Sequence, residues 1–184
     1  MNKRALYFGL VYSALVIIYK LIILLGGYTY TKFGFYYSNL VSNIAIIPFF
    51  VLCVQQVRNK EYGGYISGRE AIRLAFTVLS VSIVVLSAYH YFEAGSNKYR
   101  EVAETYYRSD DYRNLLLEQQ KLMPEKIKTE DIPKIIEEQI SSLSPFKAAT
   151  FKIIPMLIFG LGGAFMTAIS LRKKNTGLTD SSSN

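Results

Sequence analysis

Four long stretches almost free of charged residues constrain the fold more than any other feature of this chain. The segment from Leu74 to Phe92 runs for 19 residues without Lys, Arg, Asp or Glu. At about 1.5 Å per residue, a helix of that length reaches roughly 28 Å, close to the thickness of a bilayer's hydrocarbon core. Residues 153–171 form a second run of 19, and 5–27 and 33–57 are comparable. The sequence therefore predicts four membrane-spanning helices.

The composition agrees with a membrane protein that also has a polar part. Hydrophobic residues make up 51% of the chain, and the mean hydropathy is +0.19. The net charge of +7 comes from basic residues concentrated at the ends of the apolar runs. That placement is typical of topology signals, so no nucleic-acid partner is expected. The chain has a single cysteine, Cys53, which excludes an internal disulfide. Because Cys53 lies in an apolar run, we predict that its thiol is buried.

The distribution of Lys and Arg predicts how the chain is oriented. If both termini and the 58–73 loop share one side, that side holds nine basic residues, whereas the opposite short loop has only Lys32. The nine are Lys3, Arg4, Arg58, Lys60, Arg69, Arg73, Arg172, Lys173 and Lys174. Because cytoplasmic loops are enriched in basic residues, both termini are predicted to be cytoplasmic and the 94–146 segment to lie outside.

The 94–146 segment differs from the rest of the chain. It carries ten acidic and eight basic residues, a net charge of −2. Apolar residues recur at helical spacing over 112–123, following Ser109 as a candidate N-cap, and again over 132–143, with Pro124 between them. We expect two or three amphipathic helices outside the membrane core.

These patterns together predict an all-α integral membrane four-helix bundle with a helical extramembrane insertion between spans three and four. Ser144 and Pro145 are typical of the N-cap and the first turn of a helix, so they predict a helix start. The expected division is 1–93 for the first three spans, 94–146 for the periplasmic helical segment, 147–173 for the fourth span, and 174–184 for a disordered cytoplasmic tail.

A glycine-rich turn precedes the third span. Gly63, Gly64 and Gly68 surround Ser67, and Ser67 with Glu70 has the spacing of a capping box. Such glycines are typical of a turn before a helix, and the alternative is a cradle for an anion.

Polar side chains inside the spans are the best candidates for a functional site, because burying them in lipid is unfavourable. Alternate threading of the spans brings five of them toward the outer face: Lys20, Asn39, Asn43, His90 and Glu93. We predict that they converge in a polar pocket, with Lys20 paired to Glu93, which could bind a small polar ligand or pass a proton.

A structural role is an equally direct interpretation of the same residues. Lys20 could extend to the headgroups, the two asparagines could bond neighbouring helices, and His90 with Glu93 could lie in the wet interface. One histidine and one acid supply at most two metal ligands, so no metal is expected. In the last span, Gly160, Ala164 and Ala168 form a small-residue stripe for close packing, either within the bundle or between copies of the chain.

The segment GGYISGREAIRLAF at 63–76, leading into a span that ends YHYFEA at 89–94, resembles domain-of-unknown-function family 4199. The resemblance covers nearly the whole chain. It implies a four-span bacterial inner-membrane protein with a polar helical segment between the third and fourth spans. It implies no activity, and so no catalytic residue.

Enzyme signatures are missing from the sequence: there is no His-Glu-x-x-His, Gly-x-Ser-x-Gly, phosphate loop or Cys-x-x-Cys. We therefore expect a non-enzymatic accessory, scaffold or assembly subunit without a cofactor. Its expected contacts are the lipid bilayer and a membrane or periplasmic protein, with self-association as a further option. One alternative is a small transporter or permease component that uses the polar cluster. Another is a membrane enzyme acting on lipid or envelope substrates, for which His90 alone is weak support.

Overall fold

The computed structural model describes residues 2–28, 31, 33–124 and 128–172, and most of these residues are helical. Seven α-helices follow one another, with a π-helical turn at Phe33–Tyr37 and a 3-10 turn at Thr129–Asp131. The helices are α1 (Lys3–Leu25), α2 (Ser38–Glu61), α3 (Gly68–Ala94), α4 (Asn97–Tyr107), α5 (Asp110–Leu122), α6 (Ile132–Ser141) and α7 (Pro145–Leu171). No strand occurs among the described residues.

Four of these helices are long and apolar enough to cross a membrane. They are α1, α2, α3 and α7, with 23, 24, 27 and 27 residues. Only 33–39% of the residues in their most apolar windows are buried within the protein, so most residues of these windows are at least partly exposed at its surface, as contact with lipid requires. The predicted all-α membrane protein with four spans and extra helices after the third is confirmed.

The chain divides into two compact units. The first comprises residues 1–17, 40–86 and 153–184, and the second comprises 18–39 and 87–152. In the first unit the main parts of all four long helices pack as a bundle. Its core includes Tyr12, Phe50, Val78 and Cys53, each no more than 1% exposed. The buried thiol predicted for Cys53 is therefore confirmed.

Short polar contacts connect the helices of the first unit. The guanidinium of Arg4 lies 2.9 Å from the Glu61 carboxylate, which joins the start of α1 to the end of α2. Arg58 also donates to the carbonyl oxygen of Leu171, at 3.4 Å, where the last carbonyls of α7 lack helical partners. In the interior, the Tyr12 hydroxyl donates to the carbonyl oxygen of Ser42 at 2.8 Å.

The second unit contains the three short helices, none of which exceeds 13 residues, together with the adjoining ends of α1, α2, α3 and α7. Leu24, Tyr99 and Ala103 form its buried apolar centre. The ion pair between Arg108 and Glu137, at 3.0 Å, connects the end of α4 to α6. These contacts give the segment between α3 and α7 a folded core.

Most predicted helix starts agree with the structure. The hydroxyl oxygen of Ser109 accepts a hydrogen bond from the Tyr112 amide, and that of Ser144 accepts one from the Lys147 amide. The apolar pattern of α5 is less complete than predicted, because Leu122 is 81% exposed and Met123 is 44% exposed. The proposed tail, 174–184, lies outside the described residues.

Candidate functional site

Lys20 is a buried lysine whose ammonium group is bound by uncharged oxygens. It lies near the end of α1 and is only 6% exposed. Its ammonium group donates to the Ser38 hydroxyl oxygen at 2.6 Å and to the Asn39 amide oxygen at 2.7 Å. Ser38 and Asn39 are the first two residues of α2, so these contacts connect the end of one span to the beginning of the next. Burying a charged side chain is unfavourable unless it forms hydrogen bonds, and these two contacts provide them.

Glu93 is the most completely bonded side chain of the site. It lies one residue before the end of α3, and its side chain is 2% exposed. Its Oε1 accepts a hydrogen bond from the Tyr89 hydroxyl at 2.8 Å, and its Oε2 accepts one from Lys152 Nζ at 2.7 Å. His90 Nδ1 also lies 3.1 Å from Oε2. Both oxygens therefore already have protein donors.

The predicted pairing of Lys20 with Glu93 is wrong. The hydrogen-bonded cation of Glu93 is Lys152, which lies near the start of α7. Lys152 is not among the predicted site residues because it immediately precedes the charge-free run of the last span, and the prediction covered polar residues within the spans. The available signal was a lysine near the start of the fourth span, because alternate threading places that end on the same side of the membrane as the acid that ends the third span.

An aromatic ring contributes to the environment of Lys152. Its Nζ lies 5.1 Å from the centre of the Tyr99 ring, within the range of a cation–π interaction. The Tyr99 side chain is buried in the core of the second unit. Tyr99 belongs to α4, so its contact with Lys152 also connects α7 to that helix.

His90 is a titratable side chain of the site, and one of its two ring nitrogens has no hydrogen-bond partner in the described part of the chain. The ring is 5% exposed, and Nδ1 faces Glu93. A neutral imidazole that donates from Nδ1 leaves Nε2 as an acceptor. Within the described part of the chain, Nε2 makes no hydrogen bond.

We call the side chains of Lys20, Ser38, Asn39, Tyr89, His90, Glu93 and Lys152 the polar cluster; all seven belong to the second unit. It contains two lysines but only one carboxylate. Its hydrogen bonds form two groups: Lys20 with Ser38 and Asn39, and Glu93 with Tyr89, His90 and Lys152. With both lysines protonated, the cluster has an excess of positive charge.

Four of the five predicted residues are joined in two pairs, Lys20 with Asn39 and His90 with Glu93. Asn43 belongs to the first unit, where it is 7% exposed. Sequence reasoning did not identify Ser38, Tyr89 or Lys152 as members of the cluster. Serine and tyrosine are common in these spans, so residue type alone could not distinguish them.

The small-residue stripe of α7 packs inside the first unit. A Cβ atom at Gly160 would lie 2.4 Å from Leu79 Cδ1, which shows that α7 closely approaches α3 at this position. Ala164 and Ala168 are no more than 1% exposed. Of the two options open from the sequence, the described contacts are those of packing within the bundle.

One cavity of about 170 Å³ lies in the second unit, between the start of α4 and the start of α7. Tyr99 and Arg100 line it, but Asn39, Asn43 and His90 do not. Tyr99 therefore borders both this cavity and Lys152.

The glycine-rich turn does not leave an open anion cradle at the start of α3. The Glu70 carboxylate accepts hydrogen bonds from both the amide and the hydroxyl of Ser67, at 3.0 and 2.7 Å. Gly63 and Gly64 have φ angles of +58° and +92°, which glycine adopts without strain. The residues thus act as a turn followed by a capping box. Among the described residues, no three His, Cys, Asp or Glu side chains are grouped to hold a metal ion.

Comparison with known proteins identifies the family of the chain but indicates no activity. No curated protein and no solved structure matches the chain. A family model described as a protein of unknown function, DUF4199, matches residues 3–173. That match covers nearly all of the sequence and includes every residue of the polar cluster. The chain belongs to the DUF4199 family of proteins of unknown function.

Proposed function

We propose that this membrane protein is a non-enzymatic accessory, scaffold or assembly subunit of a bacterial inner membrane. The observation that carries the proposal is the saturation of Glu93, which accepts hydrogen bonds from Tyr89 and Lys152 and also faces His90. A general acid or base must have its reacting atom within reach of a substrate, and here both oxygens are engaged by the protein. The acid acts instead as a junction between α3 and α7.

The proposed orientation has both termini in the cytoplasm and α4–α6 on the periplasmic side. It is supported by the excess of Lys and Arg in the short segments beside the termini and in the 58–73 loop. This arrangement gives the folded short helices access to partners outside the cytoplasm.

The proposed contact surface is the apolar end of α5. Leu122 and Met123 are 81% and 44% exposed, and they follow a helix whose other large apolar side chains are at least partly buried. Exposed apolar residues on an otherwise polar extramembrane segment are suited to a protein contact. We propose that a membrane or periplasmic protein covers them.

The test is purification of the full chain, with its partners, in a mild detergent. A partner retained by the native chain and lost from a Leu122→Asp, Met123→Asp double variant supports the proposal. Lys121→Asp is the matched control, because it introduces an acid at the adjacent exposed position without removing apolar surface. If no protein is retained above background, or the double variant retains the same partner as the control, the scaffold role is wrong.

A transporter component is the second candidate, and one observation favours it. Lys20 is a buried ionisable side chain whose hydrogen-bond acceptors are neutral, and ionisable side chains within membrane spans often mark ion pathways. Purified chain in sealed vesicles should then produce a solute or proton flux that Lys20→Met removes. If the flux equals that of empty vesicles under gradients of pH, anions and small organic acids, this alternative is wrong.

A further inference from the structure

The starts of α1 and α3 and the ends of α2 and α7 lie at the same end of the first unit. Arg4, in the first turn of α1, pairs at 2.9 Å with Glu61, the last residue of α2. Arg58, one turn earlier in α2, donates to the carbonyl oxygen of Leu171, the last residue of α7. These contacts join the ends of three spans.

The loop between α2 and α3 is held against the same end. The Gly64 amide donates to the carbonyl oxygen of Arg58 at 2.9 Å, which folds the loop back on α2. Ile66 is only 2% exposed and packs in the core of the first unit. Because α3 begins two residues later, at Gly68, its first turns belong to the same surface.

This surface carries far more positive than negative charge. The helix ends and the loop contain seven Lys or Arg and only two acids. Glu61 is taken by Arg4, and Glu70 bonds to Ser67 in the capping box. The other six basic residues form no ion pair in the described part of the chain. We call these six the basic rim: Lys3, Arg58, Lys60, Arg69, Arg73 and Arg172.

The basic rim is open to its surroundings. Five of its six residues are exposed. The sixth, Arg58, is half-buried and donates only to uncharged oxygens, those of Asn59 and Leu171. Tyr62 and Tyr65 are exposed in the loop, and tyrosine is favoured at the level of lipid headgroups. Cations and phenol rings therefore lie together where the spans end.

We propose that the basic rim binds the phosphate groups of anionic phospholipids in preference to lipids without net charge. A cluster of about four to eight Lys or Arg beside a span attracts anionic lipid, and each one contributes about fivefold in affinity. A lipid is favoured over a free anion because the cations are spread over the ends of four spans, where headgroups already surround the protein. The inference depends neither on the scaffold role nor on the orientation of the chain.

Phosphatidylglycerol and phosphatidylcholine with identical acyl chains are the probes for the test. The full chain in an uncharged detergent is mixed with equal amounts of both lipids, and native mass spectrometry distinguishes the bound lipids by mass. The native chain should bind phosphatidylglycerol at least about fivefold more tightly, the effect of one Lys or Arg. A more concentrated ammonium acetate buffer should reduce this preference, because salt screens exposed charges.

A quadruple variant assigns the preference to the basic rim. It replaces four exposed residues whose side chains form no hydrogen bond or ion pair in the described structure: Lys3→Gln, Lys60→Gln, Arg69→Gln and Arg73→Gln. Its preference for phosphatidylglycerol should be at least about fivefold weaker. The control makes the same change in net charge on the exposed surface of α4–α6 and should keep the native preference: Lys98→Gln, Arg113→Gln, Lys121→Gln and Lys134→Gln.

The salt dependence of the native chain keeps the test valid if the rim variant fails to fold. Equal affinity for the two lipids, or a preference that salt does not change, would overturn the proposal. So would a preference that persists in the folded rim variant, or one that the control loses to the same extent. If inorganic phosphate removes the preference and chloride of the same ionic strength does not, the ligand is a free anion and the lipid assignment is wrong.

Discussion

Glu93 and Lys152 are joined by a 2.7 Å contact between Oε2 and Nζ, although 59 positions separate them in the sequence. The acid lies at the end of α3 and the lysine near the start of α7. The three short helices lie between these two residues in the chain. The ion pair therefore joins the two ends of the segment between α3 and α7. Its removal should loosen α4–α6 as well as the spans.

Breaking this pair should be strongly destabilising. Lys152→Met leaves the Glu93 carboxylate buried beside the Tyr89 hydroxyl and the His90 ring, and loss of one partner of a buried pair costs about 3–5 kcal/mol. Glu93→Gln should cost a similar amount. The free energy of unfolding can be measured by titration with a denaturing detergent.

The Lys152→Met, Glu93→Gln double variant should lose less than the sum of the two single losses, because the second change removes a charge that is already unpaired. Lys98→Met, which breaks an exposed 3.8 Å pair with Glu101, should change stability by less than about 1 kcal/mol. Strictly additive losses at 93 and 152 would show that the two residues do not interact.

Gly160→Leu should destabilise the bundle, since the new side chain would collide with Leu79 across the interface between α3 and α7. Overpacking of this kind costs about 1–3 kcal/mol. Gly162→Leu is the matched control, because nothing lies within 4 Å of a Cβ atom at that position. Adding Leu79→Ala to Gly160→Leu should restore part of the loss. Equal stability of the 160 and 162 variants would contradict this packing.

Ser109→Ala should loosen the start of α5 locally. The Ser109 hydroxyl oxygen accepts a hydrogen bond from the Tyr112 amide at 3.3 Å, and loss of an N-cap costs about 1 kcal/mol. Hydrogen exchange of the first amides of α5 should accelerate about fivefold if they exchange by local opening. Ser141→Ala, at an exposed site in α6, should leave α5 unchanged. Equal exchange in both variants would exclude a stabilising cap.

Tyr107 provides a test at alkaline pH. Burial, followed by the electrostatic effects of Tyr99, Tyr112 and Tyr106, raises the pKa of Tyr107 from 10.0 to about 12. The folded chain thus holds this proton more tightly than the unfolded chain. The resulting stabilisation is complete below pH 10 and is lost as the pH rises through about 12. The ultraviolet difference between native chain and Tyr107→Phe should show a tyrosinate that forms near pH 12. Ionisation near pH 10 would contradict the burial of this hydroxyl.

The spans and helix starts could be predicted because they depend on local sequence. A run of nineteen uncharged and mostly apolar residues predicts a membrane crossing from local sequence alone, and Ser67 with Glu70 predicts a capping box without knowledge of the remaining chain. Even the depth of Lys20 and Glu93 along their helices follows from counting residues.

The partners of those residues could not be predicted in the same way. Depth along a span does not determine the rotation of a helix about its axis, and that rotation decides whether Glu93 meets Lys20 or Lys152. The exposure of Leu122 could not be predicted either. Helical spacing places Leu122 on the apolar face of α5 but does not establish that this face is covered over its full length. Such contacts depend on tertiary packing.

Reporter fusions test the threading of the chain most directly. Alkaline phosphatase, active only outside the cytoplasm, and a fluorescent protein that matures inside it can each be joined after residues 64, 120 and 184. The account predicts phosphatase activity at 120 alone and fluorescence at 64 and 184. Fluorescence without phosphatase activity at 120 would contradict it, because the segment between α3 and α7 would then lie in the cytoplasm.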